Sequence, residues 1–264
     1  MKGKVLTIAG SDSSGGAGIQ ADIKTISSLG GYAMSAITAI TVQDTNMVSE
    51  VFPVPANTVR AQILSVLGDI GADAIKTGML MSPEIIEGVS DILAKYGADI
   101  PMVVDPVMMS TSGHMLLKPL SVKAMVSEIL PKTTLLTPNL AEASKLTGVD
   151  LLKNMDEMRK AADALLKMGP EAVLVKGGHL KGDILTDLLV TQNSEKIFYA
   201  LRVPGKDNHG TGCTLASGIA TGLAQGLKLE EAVSRAHNFV QKALENAPGF
   251  GSGCGPLNHL VKVD

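Results

Sequence analysis

The chain has no tryptophan, and three tyrosines and four phenylalanines are all the large rings it carries. The stacking platforms of single-strand nucleic-acid binders cannot be built from so few rings, so a pocket here is lined by aliphatic groups and methionine. Cysteine is equally scarce. Cys213 and Cys254 cannot make a disulfide framework, and no C-x-x-C spacing offers a zinc site; reduced thiols and a cytoplasmic protein are expected. Charge of one sign is also missing: the net value of −3 leaves no footprint for nucleic acid or an anionic membrane. No apolar run reaches membrane length, and Val5–Ala9 is too short for a signal-peptide core. With no linker, repeat or low-complexity tract, residues 1–264 read as one domain whose 45% hydrophobic content is ample for a core.

What is present is an alternation of short apolar runs and longer helical patterns. Strands are expected at Lys4–Ala9, Ala33–Val42, Ala74–Thr77, Met102–Asp105, Thr134–Thr137 and Ala172–Lys176, with a late hairpin of Leu185–Thr191 and Lys196–Leu201. Helices are expected at Ala17–Leu29, Ala56–Gly68, Pro83–Lys95, Ser121–Glu128, Leu140–Leu146, Met155–Met168, Gly212–Gln225 and Leu229–Asn246. Val48–Pro55, with two prolines, reads as an edge strand or a loop. The pattern predicts an α/β fold with a central, mainly parallel sheet and helices on both faces. In such sheets ligands bind beyond the carboxyl ends of the strands.

Five segments at predicted strand ends or helix starts can carry chemistry. Gly210, Thr211, Gly212 and Cys213 open a small-residue helix whose amides and dipole suit a transferring phosphoryl group. That field pushes a cysteine toward thiolate, so Cys213 is a candidate base; the competing reading is a structural turn. Gly10 to Gly18, with Asp22 beyond it, is a glycine-rich junction that satisfies neither the phosphate-binding nor the dinucleotide-binding fingerprint; it reads as a small-molecule loop or an ordinary flexible one. Asp105 ends a hydrophobic strand. Asn139 and Glu142 share one face of a helix start, as Mg²⁺-facing oxygens or as a capping pair. Lys176 precedes Gly177 and Gly178 in a turn suited to nucleotide phosphates or merely solvated. Met34, Met47, Met125, Met155 and Met158 are expected to pack, and His114, His237 and His259 show no ligand spacing.

Taken in order, AGSDSSGGAGIQADIKT (Ala9–Thr25), AITVQ (Ala39–Gln43), KTGML (Lys76–Leu80), DPVM (Asp105–Met108), TPNLAEA (Thr137–Ala143), VKGGHL (Val175–Leu180), NHGTGCTLASGIA (Asn208–Ala220) and GSGCGPLNH (Gly251–His259) resemble the hydroxymethylpyrimidine and phosphomethylpyrimidine kinases of thiamine biosynthesis. The resemblance spans essentially the whole chain. It implies a ribokinase-like single domain with a small β flap, the cofactors ATP and Mg²⁺, and a homodimer. It implies phosphorylation of 4-amino-5-hydroxymethyl-2-methylpyrimidine to the monophosphate and then the diphosphate. It places the pyrimidine at Gly10, Ala17, Val42, Gln43, Met79, Val107 and Cys213, where the Gln43 carboxamide pairs with an aminopyrimidine edge. Asp22 is grouped with that substrate set. Asp105, Asn139 and Glu142 would serve Mg²⁺ and phosphates, and Lys176 and Gly178 the nucleotide. Met109–His114 falls where the family has a lid; similar pyridoxal kinases carry a cysteine there, and this chain has Met109, Ser110 and Thr111. Pyridoxal or pyridoxine kinase is the alternative in the same fold. A non-catalytic nucleotide or metabolite sensor is the alternative of a different class.

Overall fold

The computed structural model describes residues 1–110, 113, 115–178, 183–205 and 207–263. The expected lid therefore lies partly outside the described residues, as do His114, His179 and Leu180.

Among the described residues nine strands form one sheet in the order β3-β2-β1-β4-β5-β6-β7-β8-β9. They are β1 (Lys4–Asp12), β2 (Tyr32–Gln43), β3 (Val48–Pro53), β4 (Ala74–Thr77), β5 (Met102–Val104), β6 (Leu135–Leu136), β7 (Ala172–Val175), β8 (Ile184–Thr191) and β9 (Glu195–Leu201). Pairing is parallel from β2 through β7 and antiparallel at both margins, where β3 and the β8–β9 hairpin are added. The segment with two prolines is thus the edge strand β3, where a missing N–H costs no ladder bond.

Helices α1 (Gly18–Ser28), α7 (Thr211–Ala224) and α8 (Leu229–Glu245) cover one face. On the other lie α2 (Ala56–Asp69), α3 (Pro83–Tyr96), α4 (Pro119–Ala124), α5 (Leu140–Thr147) and α6 (Met155–Leu166). Alternation along β1 divides its side chains between these cores, Val5 to the first and Leu6 and Ile8 to the second. Both faces of the central strands are therefore buried, which is why they read as unbroken apolar runs. Sequence signals and caps agree: Ser82 accepts from the Ile85 N–H ahead of Pro83, and Gly148 closes α5 at φ +72°.

Two readings need correction. The helix expected at Ser121–Glu128 begins at Pro119, then widens into a π turn at Met125–Ile129 and tightens to a 3₁₀ turn at Leu130–Lys132. Pro131, with no N–H to donate, stands in that tightened turn. Met47 is 55% exposed rather than packed; it sits at the turn between β2 and β3, whose Asn46 and Met47 N–H groups donate to Asp44 Oδ1.

The strand order reverses at β1, which leads to β2 on one side and β4 on the other. Such a reversal opens a crevice at the carboxyl edge. The loops after β1, β4, β5, β6 and β7 converge there, together with the N-terminus of α7.

Candidate active site

A cavity of about 1030 Å³ occupies this crevice. Gly10, Ala17, Gln43, Met79 and Val107 line it, and so do Asp105, Asn139, Glu142, Lys176 and Gly178. Gly210, Thr211, Gly212 and Cys213 lie on its wall as well. Asp22 and Val42 do not line it. Period-two alternation turns Val42 outward while Thr41 and Gln43 face in; Val42 is 47% exposed.

The turn before α7 is built by backbone contact. Gly210 is its N-cap at φ +88°, with no capping side chain, so the first amides of the helix face the cavity. A Cβ at Gly210 would lie 1.8 Å from the Gly16 carbonyl oxygen, so only glycine lets the two loops interlock. The Thr211 hydroxyl is committed to the turn, donating to the Asn208 carbonyl at 2.7 Å. A Cβ added to Gly212 would meet Lys176 Nζ at 3.2 Å and Asp105 Oδ2 at 3.3 Å. The first amides of α7, a cation and a carboxylate thus meet around one small space.

Lys176 Nζ pairs with Asp105 Oδ1 at 2.9 Å. The Lys176 N–H donates to the Pro138 carbonyl at 2.8 Å, which carries β6–β7 pairing forward and sets Asn139 beside Lys176. Asn139 and Glu142 do form a capping box: Asn139 Oδ1 accepts from the Glu142 N–H at 2.9 Å, and Glu142 Oε2 from the Asn139 N–H at 2.8 Å. Capping does not exhaust Glu142, whose surroundings are those of a strained acid. Burial pushes its carboxyl up to about 7, against the pull of Lys176 and with the repulsion of Asp105. Lys176 itself is held above the ordinary lysine value; burial opposes this, and Asp105 and Glu142 outweigh it.

Beneath the turn, Asp22 is fully buried and takes Lys76 Nζ at 2.8 Å on each oxygen and the Ser217 hydroxyl at 2.6 Å. It therefore belongs under the pocket floor rather than against a ligand. Lys76 is also fully buried. Cys213 departs from expectation too. Burial pushes its thiol up to about 11, Lys76 holds it down, and Asp22 and Asp105 raise it further. The helix-terminus field is outweighed by desolvation and two carboxylates, so the resting group is a thiol.

The profile of the phosphomethylpyrimidine kinase family matches residues 12–258. A hydroxymethylpyrimidine/phosphomethylpyrimidine kinase of Streptomyces coelicolor is 47% identical over 97% of this chain and 93% of its own. The chain belongs to the phosphomethylpyrimidine kinase family. It is a kinase with the ribokinase-like fold. A phosphomethylpyrimidine kinase from Clostridium difficile superposes with a TM-score of 0.81 at 43% identity, covering 92% of this chain and 100% of that one. A pyridoxal kinase from Staphylococcus aureus, solved with AMP-PCP and pyridoxal, gives 0.90 at 39% identity over 98% and 94%.

Two further residues on the cavity wall, Asp12 and His209, carry no assigned role from the sequence. Asp12 accepts from the Ser14, Gly16 and Ala17 N–H groups and from the Ser14 hydroxyl, which shapes the whole β1–α1 loop. His209 Nε2 reaches Asp12 Oδ2 at 2.8 Å. Burial alone would raise the Asp12 carboxyl, but His209, Ser14 and Ala17 bring it down to about 2. Both residues sit inside the quoted motifs, and that was their only signal. His237, assigned no role, lines the cavity too, stacked on Phe198 at 5.3 Å with Asp187 Oδ2 3.2 Å away.

Proposed function

We propose that this kinase transfers the γ-phosphoryl group of ATP to the hydroxymethyl oxygen of 4-amino-5-hydroxymethyl-2-methylpyrimidine, and then phosphorylates the monoester to the diphosphate, in thiamine biosynthesis. The observation that carries this reading is the meeting of the Gly212 backbone, Lys176 and Asp105 on the wall of a cavity that Gln43 also lines. The α7 amides and Lys176 bind the charge that develops on the transferring group. Cys213 stands where the hydroxyl must lose its proton, and Gln43 orients the ring.

The residues fit Mg²⁺ as well. Among the described residues, no three His, Cys, Asp or Glu side chains gather as an all-protein metal cage. Kinase Mg²⁺ needs none, since phosphates and water supply most of its ligands and the protein one or two carboxylates. Asp105 and Glu142 are that pair, two carboxylates on the cavity wall with Lys176 as the cation beside them. Bound there, Mg²⁺ would neutralise phosphate charge.

Pyridoxal kinase is the second reading, favoured by the TM-score of 0.90 to the Staphylococcus aureus enzyme. Met109, Ser110 and Thr111 leave this chain without a cysteine at those positions, which supports the pyrimidine. ATP consumption with the hydroxymethylpyrimidine and with pyridoxal, measured side by side, tests the choice; faster turnover of pyridoxal would reverse it. The working form is a cytoplasmic homodimer. Edge strand β3 and the exposed apolar pair Ile40 and Phe52, opposite each other across β2–β3, support a second copy on that face. Light scattering on Phe52→Lys tests it: a wild-type dimer and a monomeric variant are expected, and a wild-type monomer would refute it.

A further inference from the structure

His209 has no task in the transfer described above, yet it is buried and joins Asp12 at the end of β1 to Gln43 at the end of β2. Its Nε2 lies 2.8 Å from Asp12 Oδ2 and 3.2 Å from one end of the Gln43 carboxamide. The other end of that carboxamide lies 3.1 Å from Thr41 Oγ1, which is itself 3.0 Å from the Ser11 carbonyl oxygen.

The two ends of a carboxamide have the same shape, so hydrogen-bond bookkeeping decides which is which. Asp12 is surrounded by donors, three N–H groups and a hydroxyl, and acts as a carboxylate that only accepts. His209 Nε2 must then carry the hydrogen it shares with Asp12. Were the amide nitrogen of Gln43 toward His209, donor would face donor. Its oxygen would then face Thr41, whose single hydroxyl hydrogen is already given to Ser11. One rotation of the carboxamide by 180° removes both conflicts. Its oxygen accepts the longer arm of a three-centre hydrogen bond from His209 Nε2–H, shared with Asp12 Oδ2, its nitrogen donates to Thr41 Oγ1, and Thr41 donates to Ser11. One N–H and one oxygen lone pair remain for the ligand.

We propose that His209 sets the ring selectivity of the pocket by holding the Gln43 carboxamide with its oxygen toward the imidazole and its nitrogen toward Thr41. His209 is a positioning residue that acts through Gln43. A carboxamide locked in this way matches a ring edge that sets an exocyclic amine beside an unprotonated ring nitrogen. It mismatches the oxo form of the same ring, in which donor and acceptor are exchanged. The inference rests on the aminopyrimidine reading above.

The test compares kcat/KM for the 4-aminopyrimidine with that for its 4-oxo analogue. His209→Phe keeps a ring and removes the donor. It should lower the amino-to-oxo ratio about tenfold, the scale of one mispaired buried group. Thr41→Val, which cuts the chain at its other end, should lower the ratio likewise and serves if His209→Phe does not fold. His209→Gln restores an N–H and should recover part of the ratio. A purely structural role lowers both rates together and leaves the ratio unchanged, and an unchanged ratio in a folded variant overturns the proposal. The ¹⁵N spectrum of the unliganded full chain gives a substrate-independent check, with the His209 signal assigned by its loss in His209→Phe. Nε2 should carry hydrogen, and Nε2 without it overturns the proposal. A wild-type enzyme that turns over pyridoxal and neither pyrimidine overturns the substrate reading instead, and the nitrogen spectrum still decides on His209.

Discussion

Raising the pH distinguishes a Cys213 that works as a base from one that only packs the start of α7. With the thiol at about 11, roughly one molecule in ten thousand carries the thiolate at pH 7. If the thiolate takes the hydroxyl proton, kcat/KM for the alcohol should climb about tenfold per pH unit, or about 100-fold between pH 8 and pH 10. That range lies above the Glu142 carboxyl at about 7, so its ionisation does not contaminate the slope. The monoester behaves differently, because its second pKa of about 6 leaves it a dianion throughout. Its phosphorylation should be flat with pH. Cys213→Ala should abolish the climb and cut the alcohol step by about 10² or more, while the monoester step falls far less. Both steps are measured separately, each substrate supplied in turn. Alkylation of Cys213 by iodoacetamide on a Cys254→Ser background locates the thiol directly, with a midpoint expected near 11. Lys76→Met should move that midpoint higher still, since Lys76 is the main influence holding the thiol down. A flat alcohol profile beside a thiol midpoint near 11, or equal losses of both steps in Cys213→Ala, would refute the base assignment.

Glu142→Gln should weaken Mg²⁺-dependent turnover in a magnesium titration with the fold intact; unchanged magnesium dependence would leave Glu142 a capping residue. A carboxyl raised on folding resists ionisation in the native state, so Glu142 should cost stability as pH rises from 4.5 through about 7, on the order of 3 kcal/mol at most. Urea melts across that window should show the loss in the wild type and its absence in Glu142→Gln. Gln43→Leu should raise KM for the pyrimidine far more than KM for ATP, by about 1–3 kcal/mol in binding; equal effects on both would mean a misplaced pocket. Lys76→Met leaves the buried Asp22 carboxylate without its cation and should cost about 3–5 kcal/mol in urea unfolding. A loss below about 1 kcal/mol would show that the hydroxyls of Ser217 and Thr7, both of which donate to Asp22, satisfy it unaided.

The strands and helices were legible because the central sheet buries both faces and its connections carry strong punctuation, as at Ser82-Pro83 and Gly148. Short strands blurred at their ends. β6 keeps only Leu135–Leu136 of an expected Thr134–Thr137, and Pro138, with no N–H to donate, follows directly. Most cavity residues could be named from their motifs, because glycine turns and strand-end charges advertise themselves. The residues behind them could not. Asp22 and Lys76 stand 54 positions apart and meet only across the fold, so nothing in the local sequence tells a ligand-facing aspartate from one neutralised below the floor. The Cys213 thiol failed for the same reason: its helix start is local, and the burial and the carboxylates that outweigh it are not.

The interlock of Gly210 with Gly16 has a further consequence. The first amides of α7, proposed to receive the phosphoryl group, and the β1–α1 loop, proposed to receive the ring, meet backbone to backbone at Gly210 and Gly16, where a Cβ on Gly210 would strike the Gly16 carbonyl oxygen. Their separation is fixed like the jaws of a gauge. A hydroxymethyl arm reaches from one jaw to the other. A hydroxyethyl arm would carry the same oxygen about one bond length too far, and a misplacement near 1 Å costs about 10²-fold in rate. On the proposed placement of substrate, the same two glycines that close the loops gauge the length of the alcohol's arm.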